Sequence, residues 1–322
     1  GLNPYSTGSN SNNTTRLAKM KKLLKVLWAL PLTALLAVGC QSEDVVYNGG
    51  DYVMFSDSVY TMPVLEDDKV FEVPVSATNA ADYDRNYAVE IINEKSTAIR
   101  GYHFDFVDGT NNITIKAGER VGMVKLKPTY ANVAREDSLV ISLRLLEPKD
   151  EELDLYGNVT RVDMQKCYPF SMDNFMYPGA YTYMLASFPF GDQLQQIRVD
   201  AEVVDDHTIK LKNAFSDLYP IRLIFDDSDP LNYVINVPEQ EAFKDSNYGT
   251  IYLRSVEMYP SYFNVPDRFF ILYLEMYIPQ VGSFGVYQYI FKCITKEEAW
   301  EMDNGEINTG GSILSLRALS EN

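Results

Sequence analysis

The chain has 322 residues, 46% hydrophobic and 13% aromatic, which is enough apolar material for two packed domains and excludes a disordered protein. Its formal charge is -17, but the five cations Arg16, Lys19, Lys21, Lys22 and Lys25 all precede Cys40, so the portion from Cys40 onward sets 23 basic against 45 acidic residues, about -22. A surface that acidic repels phosphate backbones and anionic headgroups, which argues against nucleic acid as a partner and leaves neutral sugars, proteins and divalent cations open.

Residues 1–19 are rich in Ser, Asn, Thr and Gly and precede Met20, so they are read as an upstream extension of the frame. Residues 20–39 have the order of a signal peptide. Met20 to Lys25 is basic, Val26 to Val38 is an apolar run broken by Pro31, and Gly39 is the small residue before Cys40. A permanent membrane helix needs ~20 apolar residues, so this run is read as a cleavable leader. Leu36-Ala37-Val38-Gly39-Cys40 resembles a bacterial lipobox, with Ala37 standing where Leu is commoner. That resemblance implies acylation of the Cys40 thiol and a lipid tether to the membrane, made durable by having more than one acyl chain. Gln41, Ser42, Glu43 and Asp44 resemble the short acidic export signal of Bacteroidetes lipoproteins, which implies display on the outer face of the outer membrane. Read without the resemblance, the same four residues are an acidic tether, with residues 40–50 as the whole linker.

From Asp51 the periodicity is that of strands, bounded by turn residues and uninterrupted by a helical stripe. Tyr52 to Phe55, Val70 to Val75 and Tyr87 to Ile91 are short and β-branched or aromatic. Glu66-Asp67-Asp68 reads as a hairpin turn. Ile113 to Lys116 leads through Ala117-Gly118-Glu119-Arg120 into Val121 to Lys127, and Ser138 to Leu145 alternates as a further half-buried strand. Such spacing predicts an antiparallel β-sandwich over residues 51–150. Ala98 to Phe104, Ile113 to Ile115, Ala117-Gly118-Glu119 and the strand Asp137 to Leu143 resemble the Calx-beta-like, Ig-like domains that follow the lipid anchor of many Bacteroidetes lipoproteins. The resemblance implies a sandwich of about seven strands serving as spacer or binding module, not catalysis. Only Glu136 and Asp137 lie adjacent at the closing strand, so the calcium binding of animal Calx-beta domains is not carried over.

Residues 151–173 are polar and irregular, with Tyr168-Pro169 disfavouring helix, and read as a linker. Cys167 falls in it, which argues against a core position. Cys167 and Cys293 could pair in an oxidising compartment or remain two buried thiols, and spacing does not choose.

Residues 174–305 form another β run, including Gly179 to Met184, Ile197 to Val203, Thr208 to Leu211, Ile221 to Phe225, Tyr233 to Val237, Gly249 to Arg254, Phe269 to Ile278 and Phe284 to Ile294. Short turns such as Asp205-Asp206-His207 join them, which predicts an antiparallel up-and-down meander curled into a barrel or stacked as a sandwich. This half resembles the lipocalin-like or sandwich domains that follow Calx-beta-like units in the same bacterial family. Thr295-Lys296-Glu297-Glu298 is a capping box, predicting a short helix through Trp300 that Asp303-Asn304-Gly305 stops; residues 306–322 are read as a tail. The fold class expected is all-β throughout.

Signals for chemistry are few. His103, in a strand-like stretch between Tyr102 and Phe104, reads as a structural imidazole, and His207 as a solvated turn residue in the other domain. A G-x-S-x-G elbow and a phosphate-binding glycine loop are both missing, and no carboxylate pair stands out for glycoside hydrolysis. A non-catalytic protein without a cofactor is expected, an unrecognised hydrolase ranking third among the readings. Asp226, Asp227 and Asp229, with Ser228, offer oxygen ligands of the kind calcium takes, although without EF-hand spacing; a solvated turn closed by Pro230 is the simpler reading. Sugar faces stack on exposed aromatic rings, and Tyr248, Tyr259, Tyr262 and Phe263 lie near turns, with Trp300 on the terminal helix. Two readings lead: a surface lipoprotein capturing a glycan beside an uptake system, and an adhesive or structural protein contacting other proteins through strand edges.

Overall fold

The computed structural model describes residues 52–146, 157–187 and 194–305. Cys40 and the stretch Gln41, Ser42, Glu43 and Asp44 lie outside the described residues, as does the tail from Glu306. Among the described residues no helix is long and apolar enough to cross a membrane.

The first domain is built from β1 (Val53–Phe55), β2 (Val59–Val64), β3 (Phe71–Ala77), β4 (Arg85–Ile91), β5 (Phe104–Phe106), β6 (Asn112–Ile115), β7 (Val121–Pro128), β8 (Leu139–Leu146) and β9 (Val159–Lys166). They form two sheets, ordered β1-β3-β7-β5 and β2-β9-β8-β4-β6, with β2–β9 parallel and every other pairing antiparallel. The period-two pattern explains the layers. In β7, Gly122, Val124, Leu126 and Pro128 are buried, while Val121, Met123, Lys125 and Lys127 face out. Met62, Val73, Val89, Ile113, Leu126, Ile141 and Val162 meet between the sheets, each such aliphatic chain contributing about 1.5–3 kcal/mol by burial.

Both turns singled out in the sequence cross between the sheets. Glu66-Asp67-Asp68 connects β2 to β3, which pair with different partners, so it does not close a hairpin. The turn at Gly118 (φ 79°) likewise joins β6 in one sheet to β7 in the other. At this corner the sheets approach so closely that a Cβ on Gly122 would sit 2.8 Å from Ile113 Cγ2.

The sandwich does not end at residue 150. Strand β9 occupies the stretch read as linker and lies between β2 and β8, with Thr160, Val162 and Met164 buried. Its outward residues Arg161, Asp163 and Gln165 make the segment look polar, although its alternation is that of a half-buried strand. Cys167 follows directly and is 4% exposed, so its place is in the core and not in a solvated linker.

A four-residue helix, α1 (Met172–Phe175), leads into the second domain. Ser171 Oγ accepts the Asn174 N–H, and Asn174 Oδ1 accepts the Ser171 N–H. The cap drives Met172 and Phe175 into the barrel.

The strands that follow are β10 (Tyr181–Ser187), β11 (Leu194–Asp205), β12 (Thr208–Leu211), β13 (Ile221–Asp226), β14 (Val234–Asn236), β15 (Gln240–Asp245), β16 (Gly249–Ser255), β17 (Ser261–Asn264), β18 (Phe269–Ile278) and β19 (Gly282–Ile294). Each is antiparallel to its neighbours, and β19 returns to pair with β10 from Tyr181↔Ile294 to Ala186↔Tyr289, closing a barrel. The ten strands make eight staves. β14 and β15 follow one another along one stave and pair with β17 and β16 on the next, while β18 pairs with both β17 and β16. Where the first broken stave bends, Gln240 Oε1 accepts the Arg222 N–H (2.8 Å) and its Nε2 donates to the Arg222 carbonyl (3.0 Å), replacing a rung of the ladder.

Side chains fill the interior, as the width of an eight-stranded barrel allows. Phe270 and Phe291 stack at 4.6 Å between centroids, and Phe175, Phe225 and Phe263 pack edge to face beside them. The terminal helix α2 (Lys296–Asp303) starts at the expected capping box and lies outside β10 and β11, with Ala299 against Tyr183, Leu185 and Ile294 and the Arg198–Asp303 ion pair at 2.7 Å.

Cys293 is inside the barrel near Met176, and Cys167 is in the other domain; both are free thiols. Burial pushes the Cys167 thiol up to about 11 and that of Cys293 up to about 12. Both thiols are therefore expected to resist a disulfide reagent at about pH 8 in the folded protein and to react once it is denatured. The folded chain also keeps these two protons when the unfolded chain has lost them. Stability is thus expected to fall as pH rises past the ordinary thiol value of ~8.5, the loss continuing toward the folded values. Thermal melts at stepped alkaline pH, with serine at both positions as control, measure it.

Candidate ligand surface on the barrel wall

The outer face of β18 carries the surface of interest. Phe270, Leu272, Leu274 and Met276 point into the barrel, so Ile271, Tyr273 and Glu275 point out. Register places Gln288 of β19 opposite Tyr273, and its Nε2 donates to the Tyr273 hydroxyl at 2.9 Å. On the other flank, the turn between β16 and β17 is closed by a Val256–Tyr259 bridge. The Tyr259 ring lies 5.9 Å from that of Tyr273, at 35°. Ser261 Oγ accepts the Tyr273 N–H at 3.0 Å and pins β17 to β18. Tyr262 then stands in register with Ile271, with its edge toward Phe269. Burial and the neighbouring Tyr273 hold its hydroxyl above the usual phenol range.

Three tyrosines therefore gather, Tyr262 and Tyr273 on strands and Tyr259 in the turn, with Tyr259 49% and Tyr262 37% exposed and Tyr273 half-buried. Farther along the same face Arg254 pairs with Glu275 (2.8 Å) and Glu239 (3.3 Å) and lies 4.5 Å over the Tyr277 ring. The Tyr252 hydroxyl donates to Glu241 at 3.2 Å. Ser283 and Arg254 hold the Glu275 carboxyl below its ordinary value by hydrogen bonding. Such a surface offers apolar ring faces, phenol and amide hydrogen-bonding edges, and one arginine among three carboxylates.

The sequence-derived aromatic residues fall in four places. Tyr259 and Tyr262 come together, as above. Tyr248 is exposed in the turn at the other end of β16, edge-on to Phe284 and roughly 20 Å from Tyr259 at 3.3 Å per residue. Trp300 is exposed on α2. Phe263 is 4% exposed, inside the barrel, stacked on Tyr233 at 5.1 Å. Neighbours in a strand point to opposite faces, so Tyr262 and Phe263 cannot both face out, and Phe263 leaves the set of surface rings. Tyr273 and Gln288 were not singled out by sequence; only strand register sets Tyr273 beside Tyr259 and Gln288 on the other side of Tyr273.

The acidic loop after β13 is occupied by its own turn. Asp226 accepts the Ser228 N–H (3.0 Å), Asp227 pairs with His207 Nε2 (3.1 Å), and Asp229 accepts the Leu231 N–H and the Asn232 amide. Among the described residues no group of three or more His, Cys, Asp or Glu is placed to hold a metal ion. His103 sits in the turn before β5 and not in a strand, where its Nδ1 accepts the Ile99 N–H at 2.9 Å.

No protein-family model matches this chain, and no curated protein matches it. Solved structures similar to it include a protein of unknown function from Bacteroides ovatus, 11% identical over 75% of this chain and 89% of that one, with a TM-score of 0.32. An auxiliary nutrient binding protein from Bacteroides thetaiotaomicron is 14% identical over 74% of this chain and 90% of that one, with a TM-score of 0.31. The apo-form Calx CBD1 domain is 19% identical over 37% of this chain and 98% of its own length, with a TM-score of 0.30; at such scores no residue role is carried across.

Proposed function

We propose that the chain is a non-catalytic lipoprotein of the Bacteroidetes cell surface that captures a neutral glycan on the outer wall of its barrel, the sandwich acting as spacer. The observation that carries this is the row that Tyr273 makes on the outer face of β18, with Tyr259 and Tyr262 on one flank and the Gln288 amide on the other. Sugar rings present C–H faces to aromatic rings and hydroxyls at their edges, and this surface offers both kinds of partner in fixed positions. Glu239, Glu241 and Glu275 outnumber Arg254 beside the tyrosines, and the chain from Cys40 is strongly acidic, so uronate or sulfate groups are disfavoured. Adhesion through strand addition is less well supported. The barrel is closed, and the sandwich edges β1, β5 and β6 have three or four residues while β2 contains Pro63, all of which blunt edge pairing.

Protein beginning at Gln41 is expected to be retarded in gels containing at least one neutral polysaccharide, and to run freely through polyuronates. Silence across a broad neutral panel would move the weight to protein contacts. The tether is tested separately. Cys40→Ser is expected to abolish fatty-acid labelling and to shift the protein out of the membrane fraction. An unchanged fractionation would remove the anchor from this reading.

A further inference from the structure

The sandwich and barrel meet along a cleft of about 590 Å³, within the range of small-ligand sites. One wall is the outer face of β2 and β9 and the start of β8, presenting Thr61, Gln165 and Ser138. Among the described residues these three side chains make no hydrogen bond within the protein, so their donors and acceptors are free for whatever fills the cleft. The facing wall comes from the loops after β13 and β17. There the Tyr233 ring is stacked on Phe263 and fixed by donating its hydroxyl to the Tyr168 carbonyl at 2.8 Å, with Asn264 beside it.

The two walls are braced. Arg135 donates to both carboxylate oxygens of Asp267 from sandwich to barrel, with the Nη1–Oδ1 distance 2.9 Å. The cleft is therefore held open as a preformed space and does not depend on a ligand to shape it. Each charged group that lines it already has a partner. Arg161 pairs with Asp163, Asp137 accepts the Ala134 N–H (2.7 Å), and Lys166 donates to the Val133 carbonyl (2.7 Å) with its ammonium 4.2 Å over the Tyr130 ring. With cations and anions already satisfied, the groups left to recognise a ligand are hydroxyls, amides and aromatic faces.

We propose that this interdomain cleft is a second binding subsite for a neutral oligosaccharide, continuous with the tyrosine surface. The proposal takes its ligand class from the reading above, but stands on different residues. Continuity follows from β17, where Asn264 at the cleft is two residues from Tyr262, roughly 7 Å along one strand. One oligosaccharide can thus lie on the barrel wall and enter between the domains. Sugar hydroxyls can take the place of solvent on Thr61, Ser138 and Gln165 at little cost when they reproduce its hydrogen bonds.

The test is amide-shift mapping of ¹⁵N-labelled protein beginning at Gln41, titrated with the hexaoses of xylan, cellulose, mannan and starch. One of them is expected to move Ser138, Gln165 and Asn264 together with Tyr262, Tyr273 and Gln288. Gln165→Trp, at an exposed strand position, fills the cleft and is expected to weaken that hexaose about tenfold. Ser138→Trp does the same from the neighbouring strand, should the first variant misfold. Shifts confined to the tyrosine set, with both tryptophan variants binding as wild type, overturn the cleft and leave the proposed function standing. Shifts confined to the cleft set support the cleft and remove the tyrosine surface; a panel that moves neither set overturns both.

Discussion

Phe263→Ala is expected to destabilise the barrel by about 3–5 kcal/mol and to lower its melting temperature by about 10 °C. The ring is 4% exposed and lies 4.9 Å from Phe225, 4.9 Å from Phe170, 5.5 Å from Phe175 and 5.1 Å from Tyr233. It joins the helix plugging the barrel to the barrel wall, and those neighbours belong to separate elements that cannot all collapse into the void. Truncation forfeits transfer energy and leaves a cavity as well. Tyr262→Ala, one residue earlier on the opposite face, is expected to cost only about 1 kcal/mol, because 37% of that side chain is already in water. Guanidinium denaturation of the two variants side by side separates the outcomes. Equal and small losses would mean that Phe263 does not hold the core as described.

The second large effect falls on binding. Tyr259→Ala and Tyr273→Ala are each expected to weaken the captured glycan about tenfold or more, since anchoring aromatics commonly carry upward of about 1–2 kcal/mol. Tyr259 is half exposed and should be lost with little change in stability, which makes it the cleaner variant. Tyr273→Phe keeps the ring face but loses the hydroxyl that accepts from Gln288, so a smaller loss of about 0.5–1.5 kcal/mol is expected if the edge contributes. Calorimetric titration with the best hexaose measures all three. Wild-type affinity in both alanine variants would leave the tyrosine gathering without a role in capture.

Local chemistry was legible where it depends on neighbours in the chain. The Thr295–Glu298 capping box forms as expected, with Thr295 Oγ1 accepting the Glu298 N–H and Glu298 Oε2 accepting the Thr295 N–H, although the helix runs on to Asp303. Asp205 takes the His207 N–H in the hairpin between β11 and β12. The alternation of Val124, Lys125, Leu126 and Lys127 in β7 shows in the residue types themselves. By contrast, β9 was hidden because its solvent face is ionic and its core face mixes Thr and Met with Val, so composition suggested a linker.

The amino-acid sequence by itself determined the all-β class, the short turns, the helix cap and the acidity, because each arises within a few residues or from composition. Tertiary structure decided the rest. Closure of the barrel depends on β10 meeting β19, strands about a hundred residues apart, and no local period encodes which distant strand completes the ring. Pairing of β18 with β17 and β19 likewise set Phe263 against Phe270 inside the barrel and placed Tyr273 between Tyr259 and Gln288 outside it. A strand's alternation shows that it has two faces, but only its partners fix which face meets water.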